Sequence, residues 1–371
     1  MIKDAKRNMS VKKQRLVSLR NTVLGVFVLG ATSPVFAKLP SLSAVFEHNS
    51  SRCLGQFYQE TPPFLTKDSL TKKSYPLCFN GFNVMYSGVS KTPLWSAEHL
   101  TPERFSQRIK REDSFHEETQ IPAEYRARLA DYRASGYDRG HMSPNADMSD
   151  TASQSDSFSL ANMVPQAPKN NQEVWRKLEE ATRTMVKKNK QDVYVVTGPI
   201  FSGQRLKTIG NGVLVPSAVF KAVYYPKTGV IGAYYAPNNN SQQVYVVSVC
   251  EIEDLTGINV FPSLNEQTKR KTYHLPLVMT DVKANAKVAY LNWDAKSQCA
   301  VDVADESLQA LQKQFQPHSA DSAASATGKE SASTSQIETK INEISGNWLH
   351  NLIKQLIEAI LEFILKLLKG A

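Results

Sequence analysis

One histidine of this chain lies among residue types that can carry phosphate chemistry. His141 follows directly on Asp138, Arg139 and Gly140 in the stretch SGYDRGHMSPNADM. A histidine with a pKa near its usual value of about 6.5 is substantially neutral at pH 7, so it can act as a general base without a large shift. Arg139 carries a planar guanidinium that matches phosphate oxygens. The pair predicts a base beside a phosphate-binding cation, although an isolated histidine of this kind is usually an ordinary surface residue.

A second group of polar residues is spaced for one face of a helix. Asn171, Glu179 and Arg183 fall at multiples of four within NQEVWRKLEEATRTMVKK, so each step of four turns only about 40° around the axis. The apolar stripe that includes Val174 and Leu178 lies beside them. The helix can therefore pack with one side and border a cleft with the other. Taken alone, it is equally an amphipathic helix with an exposed Glu179–Arg183 pair, which contributes about 0.2–0.5 kcal/mol.

The elements that must position these residues are strands and helices of an α+β domain. Runs rich in Val, Ile, Tyr and Phe predict a substantial sheet, and they are FNVMYSGV, DVYVVTGPIF, VLVPSAVFKAVYY, GVIGAYYAP and QQVYVVSVCEI. Gly, Pro or Asn separate most of them, which is typical of hairpins. A shorter helical signal, EIEDLTGINVFPSL, ends at Gly257. Helices among hairpin-like strands favour α+β over a doubly wound parallel sheet.

The first 37 residues are typical of a cleaved secretion signal. A basic segment precedes an apolar run over 22–37, which ends in Val35-Phe36-Ala37. An uncleaved membrane anchor is the alternative, but the run is shorter than the roughly 20 apolar residues that span a bilayer and contains Pro34. The formal charge of +9 falls to +3 without this segment, since 37 basic and 34 acidic residues remain. Net charge alone is therefore weak support for nucleic-acid binding.

The C-terminal end differs in composition from the rest. Residues 316–345 are rich in Ser, Ala and Thr and predict a disordered linker. Residues 346–371 predict a separate amphipathic helix with one narrow polar stripe and a wide apolar surface that has to be buried. Lys354, Glu358 and Glu362 near its middle disfavour a membrane-spanning helix. Binding in the plane of a membrane surface and self-association are the favoured alternatives, ahead of docking on the preceding domain.

Four cysteines predict two disulfides. Cys53, Cys78, Cys250 and Cys299 have no C-x-x-C spacing, which disfavours a zinc site. In an exported protein, disulfide bonds are the simpler interpretation. Proximity along the chain favours Cys53 with Cys78 and Cys250 with Cys299, although four cysteines allow three pairings.

Together these segments resemble the DNA/RNA non-specific endonucleases, a family that includes secreted bacterial nucleases and mitochondrial endonuclease G. YDRGHMSPNADM is similar to the family's D-R-G-H segment, and LANMVPQAPKNNQEVWRKLE to its S-N-x-x-P-Q…N-Q-x-x-W-x-x-L-E segment. YVVTGPIF and LTGINVFPSL are similar to later blocks. The resemblance covers about 50–300. It implies a ββα-metal nuclease fold for residues 38–315, with a central, mainly antiparallel sheet flanked by helices.

The resemblance also implies chemical roles for matching residues. His141 takes a proton from the attacking water. Asn171 is the one direct protein ligand of Mg²⁺, with Mn²⁺ as a substitute; an amide oxygen and waters suit a cation that dehydrates reluctantly. Asn162 and Glu179 support His141 and Asn171 by orienting water and the metal ligands.

Three arginines are implied in phosphate binding. Arg139 and Arg183 match the family's motif, whereas Arg111 lies in a segment that aligns loosely. Contacts to phosphate rather than to base edges would explain cleavage without sequence preference.

The expected protein is thus a secreted or periplasmic endonuclease that cuts DNA and RNA to 5′-phosphate ends. The sequence leaves open whether it forms a homodimer. Two alternatives come from other classes. One is a nucleic-acid-binding protein, associated with a membrane surface, whose catalysis has degenerated. The other is a membrane-active toxin or adhesin in which the C-terminal helix is the primary functional element.

Overall fold

A computed structural model describes residues 52–107 and 109–315, so the predicted signal, linker and C-terminal helix lie outside the described residues. The strands are β1 (Phe64–Leu65), β2 (Ser74–Cys78), β3 (Asn83–Ser87), β4 (Thr92–Leu100), β5 (Asp138–His141), β6 (Met163–Gln166), β7 (Val193–Ile200), β8 (Thr208–Ile209), β9 (Val213–Leu214), β10 (Ala218–Tyr225), β11 (Val230–Pro237), β12 (Tyr245–Val247), β13 (Ile258–Asn259), β14 (Lys271–Tyr273) and β15 (Tyr290–Trp293). The helices are α1 (Asp68–Thr71), α2 (Leu129–Tyr132), α3 (Thr151–Ser157), α4 (Arg176–Asn189), α5 (Val249–Thr256), α6 (Glu266–Lys269) and α7 (Asp305–Gln314).

Seven strands form the central sheet, in the order β12-β11-β10-β7-β4-β3-β2. Every neighbouring pair in it is antiparallel. Four short two-stranded sheets surround it: β1 with β13, β5 with β6, β8 with β9, and β14 with β15. The predicted mixed fold with a central antiparallel sheet is confirmed.

Both faces of the sheet are covered, which explains why its central strands are apolar along their whole length. Successive side chains of a strand point to opposite faces. Phe220 and Ala222 of β10 belong to one buried cluster, and Val219 and Val223 belong to another. All eight residues of β10 are buried.

Helix α4, which carries Glu179 and Arg183, packs on one face of the sheet. Its residues Leu178, Met185 and Val186 join the cluster that contains Val219. Burial of each such side chain contributes about 1.5–3 kcal/mol. Helices α5 and α7, with the segment around Phe57, cover the other face.

The predicted strand QQVYVVSVCEI is only partly correct. Strand β12 ends at Val247, and the rest of the segment is helix α5. Ser248 starts the helix because its hydroxyl oxygen accepts a hydrogen bond from the backbone N–H of Glu251 at 2.9 Å. Gly257 ends it in the left-handed region at φ +72°, as its position predicted.

A hairpin followed by a helix holds the DRGH motif. Strand β5 pairs antiparallel with β6, so that Gly140 faces Val164 and His141 faces Met163. The chain then enters a π-helical turn, Asn170–Trp175, and continues into α4. A methyl group on Gly140 would lie 2.6 Å from Cβ of Gln166, so the hairpin requires glycine there. This unit is the ββα arrangement that the resemblance implied.

Both disulfides are present in the pairing that proximity favoured. Cys53 is bonded to Cys78 and Cys250 to Cys299. Within residues 52–107 and 109–315, the one cluster with metal-ligand spacing is Cys250, Glu253 and Cys299. Its two sulfurs are joined to each other, so it offers no thiolate to a metal. In the same part of the chain, none of the helices has the length and apolar character needed to cross a bilayer.

Candidate active site

A cleft of about 1050 Å³ opens between β5 and the helix that carries Asn171. Six of the seven residues expected to bind substrate or take part in catalysis line it, namely Arg111, Arg139, His141, Asn171, Glu179 and Arg183. The seventh, Asn162, lies elsewhere. Residues from three separate parts of the sequence therefore meet around one space.

Two phenylalanine rings enclose His141. The imidazole lies edge-on to Phe158, with ring centroids 5.1 Å apart, and tilted against Phe115 at 5.8 Å. Its Nε2 atom is buried without a hydrogen-bond partner among the described residues. The same two rings also make cation–π contacts with neighbouring arginines. The guanidinium carbon of Arg139 is 3.8 Å from the Phe115 centroid, and that of Arg111 is 5.3 Å from the Phe158 centroid.

This enclosure changes the protonation of His141. Burial, together with the positive charges of Arg111 and Arg139, lowers the pKa of the imidazole to about 3, although the carboxylate of Asp113 acts in the opposite direction. From the sequence, we expected an imidazole near its usual pKa; its burial was not predicted. His141 is neutral not only at pH 7 but well into the acid range.

Asp138 holds the amide of Asn171. One of its carboxylate oxygens, Oδ2, accepts a hydrogen bond from Asn171 Nδ2 at 2.9 Å and another from Gln172 Nε2 at 2.8 Å. The nitrogen end of the Asn171 amide is thereby occupied, which leaves its oxygen for the cleft. A neutral amide oxygen held in place is the donor type that a hard cation accepts. The residues present therefore fit a divalent metal at Asn171, with Asp138 as an orienting partner.

Glu179 and Arg183 form the far wall of the cleft. Burial raises the pKa of Glu179 to about 7, although Arg183 and Lys221 lower it in part. Arg183 donates a hydrogen bond at 2.7 Å to Asp147, whose side chain is almost fully buried. This ion pair fixes the guanidinium at the rim, and Asp147 is a residue that sequence reasoning missed.

A buried carboxylate lies beneath this wall. Glu98 of β4 is 1% exposed, and neither of its carboxylate oxygens has a hydrogen-bond partner within the described part of the chain. The guanidinium of Arg104 approaches it no closer than 4.0 Å. Burial raises the pKa of Glu98 to about 8, with Asp147 adding to the effect and Lys221 and Arg104 opposing it. The sequence offered no signal for this group beyond a lone charge in a strand.

The role that the resemblance implies for Asn162, orienting water and the metal ligands, stays a prediction, and this residue does not line the cleft. Its side chain is fully buried and makes four hydrogen bonds to protein atoms. The oxygen accepts from the Ser143 backbone N–H at 2.9 Å and from the Ser96 hydroxyl at 3.1 Å. The nitrogen donates to the carbonyls of Ser143 and Ser157 at 2.8 and 2.9 Å. These four hydrogen bonds occupy both polar atoms of the side chain and fix the chain two residues beyond His141.

The comparisons with known proteins agree with this geometry. The family described as DNA/RNA non-specific endonuclease matches residues 60–267. A nuclease of Nostoc sp. is 32% identical over 273 residues, which cover 67% of this chain and 97% of that protein. Mitochondrial endonuclease G of Homo sapiens is 32% identical over 214 residues, covering 52% and 69% respectively. Nuclease C1 of Cunninghamella echinulata is 31% identical over 228 residues, covering 56% and 87%.

Proposed function

This chain belongs to the DNA/RNA non-specific endonuclease family, and from that premise we propose that its cleft hydrolyses phosphodiester bonds of DNA and RNA to 5′-phosphate ends, with His141 as the general base and Mg²⁺ bound at Asn171. The observation that carries the proposal is the meeting of a neutral imidazole, an oriented amide oxygen and three arginines around one cleft. Each of these suits one requirement of phosphoryl transfer to water.

The protein supplies a fixed base. His141 is held between two aromatic rings and is neutral at physiological pH, so it can accept the proton of an attacking water. In the free protein, Arg111 and Arg139 oppose the resulting imidazolium. An anionic phosphate that lies against both arginines offsets their charge, so substrate binding raises the basicity of His141 when it is needed.

Asn171 would hold the metal through its amide oxygen, and Asp138 would keep that oxygen directed at the cleft. When bound, a divalent cation there supplies stabilisation of charge on the phosphate oxygens and on the leaving oxygen. Glu179 borders the same space and, with a pKa of about 7, changes charge in the working pH range. Its role is to orient water near Asn171.

The arginines bind the substrate through its backbone. Arg139 and Arg183 are positioned by Phe115 and Asp147 respectively, and Arg111, whose guanidinium lies over the Phe158 ring, also lines the cleft. Planar guanidinium groups match phosphate oxygens whatever base is attached. Indifference to sequence, and to DNA or RNA, follows from contacts of this kind.

The setting of the enzyme is part of the proposal. Two disulfides suit an oxidising compartment, so residues 1–37 act as a secretion signal and the enzyme works outside the cytoplasm or in the periplasm. Residues 38–315 form the nuclease domain, and 316–345 link it to a helix, 346–371, that tethers it to a membrane surface or to its own copies. The alternative in which that helix is the primary function is not favoured, because the relatives that match the preceding domain are nucleases.

Digestion of plasmid DNA and of ribosomal RNA by the mature protein tests the proposal. We expect cleavage of both substrates with Mg²⁺ or with Mn²⁺ and no cleavage in EDTA. The products should carry a 5′-phosphate, so a polynucleotide kinase should label their 5′ ends only after phosphatase treatment. Binding without cleavage under all these conditions would contradict the proposal and favour a nucleic-acid-binding protein.

A further inference from the structure

A second groove continues from the cleft along helix α4. It has a volume of about 850 Å³ and shares Arg111, Asn145, Ala146, Glu180 and Arg183 with the cleft. We call it the flanking groove; its other principal residues are Phe105, Lys110, Lys187 and Met279. Because the two spaces have a common wall, a chain that enters one can continue into the other.

Uncompensated positive charge distinguishes the flanking groove. Lys110 and Lys187 are exposed, and neither has an ion pair or a side-chain hydrogen bond among residues 52–107 and 109–315. Among the residues that line the groove, the one carboxylate is that of Glu180, and it is already paired with Arg176 at 2.9 Å. The two lysines therefore present a net charge that only a ligand or solvent ions can neutralise.

The spacing along α4 suits a polyanion. Lys187 lies four residues beyond Arg183 on the same helix face, an advance of about 6 Å along the axis. Neighbouring phosphates of an extended nucleic-acid strand are separated by a similar distance. If Arg183 contacts the phosphate at the cleft, Lys187 is in place for the next one.

The apolar part of the wall suits the remainder of a nucleotide. Two apolar side chains line the groove: Met279, which is 50% exposed, and Phe105, which is half-buried. Aromatic and thioether side chains contact the faces of bases without selecting among them. Basic and apolar surface together favour a nucleic-acid strand over an acidic peptide.

We propose that the flanking groove binds the nucleotide unit next to the scissile phosphodiester, with Lys110 and Lys187 holding its phosphate. This rests on the proposed function, whose site it extends by one unit on one side. The groove makes a longer strand a better substrate than a dinucleotide, without any contribution to the chemical step.

The test compares the double variant K110A/K187A with the matched control K177A/K227A. Lys177 and Lys227 are exposed and line neither the cleft nor the groove, and their removal changes net charge equally. Two substrates are used: a single-stranded 12-mer, and thymidine 5′-(p-nitrophenyl phosphate), which is too short to reach the groove.

We expect K110A/K187A to raise KM for the 12-mer roughly 10-fold at physiological salt, with kcat unchanged and with no effect on the small ester. Binding of a fluorescent single-stranded 12-mer in EDTA should lose about 0.7 from the slope of log Kd against log salt, since one neutralised phosphate of a single strand contributes about that much. The control should behave as wild type. A double variant that matches the control in KM and slope, or that loses turnover of the small ester, overturns the inference. Because the binding assay needs no catalysis, it decides the role of the groove even if the wild type cleaves neither substrate.

Discussion

Replacement of Asn162 separates a positioning role from a catalytic one. The family resemblance assigns this residue to the reaction, whereas its four hydrogen bonds place it inside the protein behind His141. The substitution Asn162→Ala removes all four. The hydroxyl of Ser96 keeps a partner in Ser143 at 2.8 Å, but three backbone groups of Ser143 and Ser157 lose theirs.

The magnitude follows from those three groups. A buried polar group left without a partner costs about 1–3 kcal/mol, so at the lower end the variant loses roughly 3 kcal/mol of unfolding free energy. For a domain of this size that corresponds to a fall in Tm of roughly 6–12 °C. Activity measured well below the new Tm should fall less than the ~10²-fold expected for loss of a catalytic group, because His141 moves but is not removed.

The isosteric variant Asn162→Asp tests the direction in which stability depends on pH. It replaces the amide nitrogen, which donates to two carbonyls, by an oxygen that they repel. Ionisation of this buried carboxyl is opposed, so its folded-state pKa lies above the unfolded value of about 3.9. Stability is therefore present at low pH and lost as pH rises through the folded pKa, and the variant should melt closer to wild type at pH 5 than at pH 8.

Thermal unfolding and kcat with and without excess Mg²⁺ are measured for both variants. Asn259→Ala is the control, since Asn259 is equally buried and bonds Lys269 and Val301, away from the cleft. It should lose stability but keep kcat. If Asn162→Ala instead melts with the wild type and loses kcat 10²-fold or more, the structural reasoning is refuted and the catalytic role stands.

Three further predictions concern the support of the site and the C-terminal segment. The free energy of unfolding of the wild type should decline between about pH 4.5 and 8, because the folded-state pKa of Glu98 is raised to about 8. The variant Glu98→Gln should flatten that part of the curve of Tm against pH. Parallel curves for wild type and variant would contradict this prediction. Gly140→Ala should cost about 1–3 kcal/mol by overpacking against Gln166, and an unchanged Tm would show that the hairpin can give way. Truncation after Pro317 should leave nuclease activity intact while abolishing liposome co-sedimentation and large assemblies, and loss of catalysis would place the helix within the nuclease fold.

Local spacing was sufficient to predict much of this arrangement. The helix face of Asn171, Glu179 and Arg183 follows from intervals of four, and the structure places all three at the cleft. The disulfide pairing followed from proximity along the chain. Such features depend on residues close in sequence, or on one regular element.

Features that depend on tertiary packing were not predictable in this way. Phe115 and Phe158 approach His141 from different segments, and no pattern in either segment marks them as neighbours of a base. The low pKa of His141 follows from that enclosure, so it was missed as well. The inward direction of Asn162 depends on where Ser143 and Ser157 lie, which the motif alone does not specify.

The central claim, that a neutral His141 is the general base of a phosphodiester hydrolase, is tested most directly by steady-state kinetics of His141→Ala on a DNA oligonucleotide with Mg²⁺. His274→Ala is the control, because His274 is exposed and does not line the cleft. The claim predicts a fall in turnover of ~10²–10⁴-fold with nearly unchanged substrate affinity, and wild-type kinetics for the control. Near-wild-type turnover by His141→Ala, with the fold intact, would contradict it.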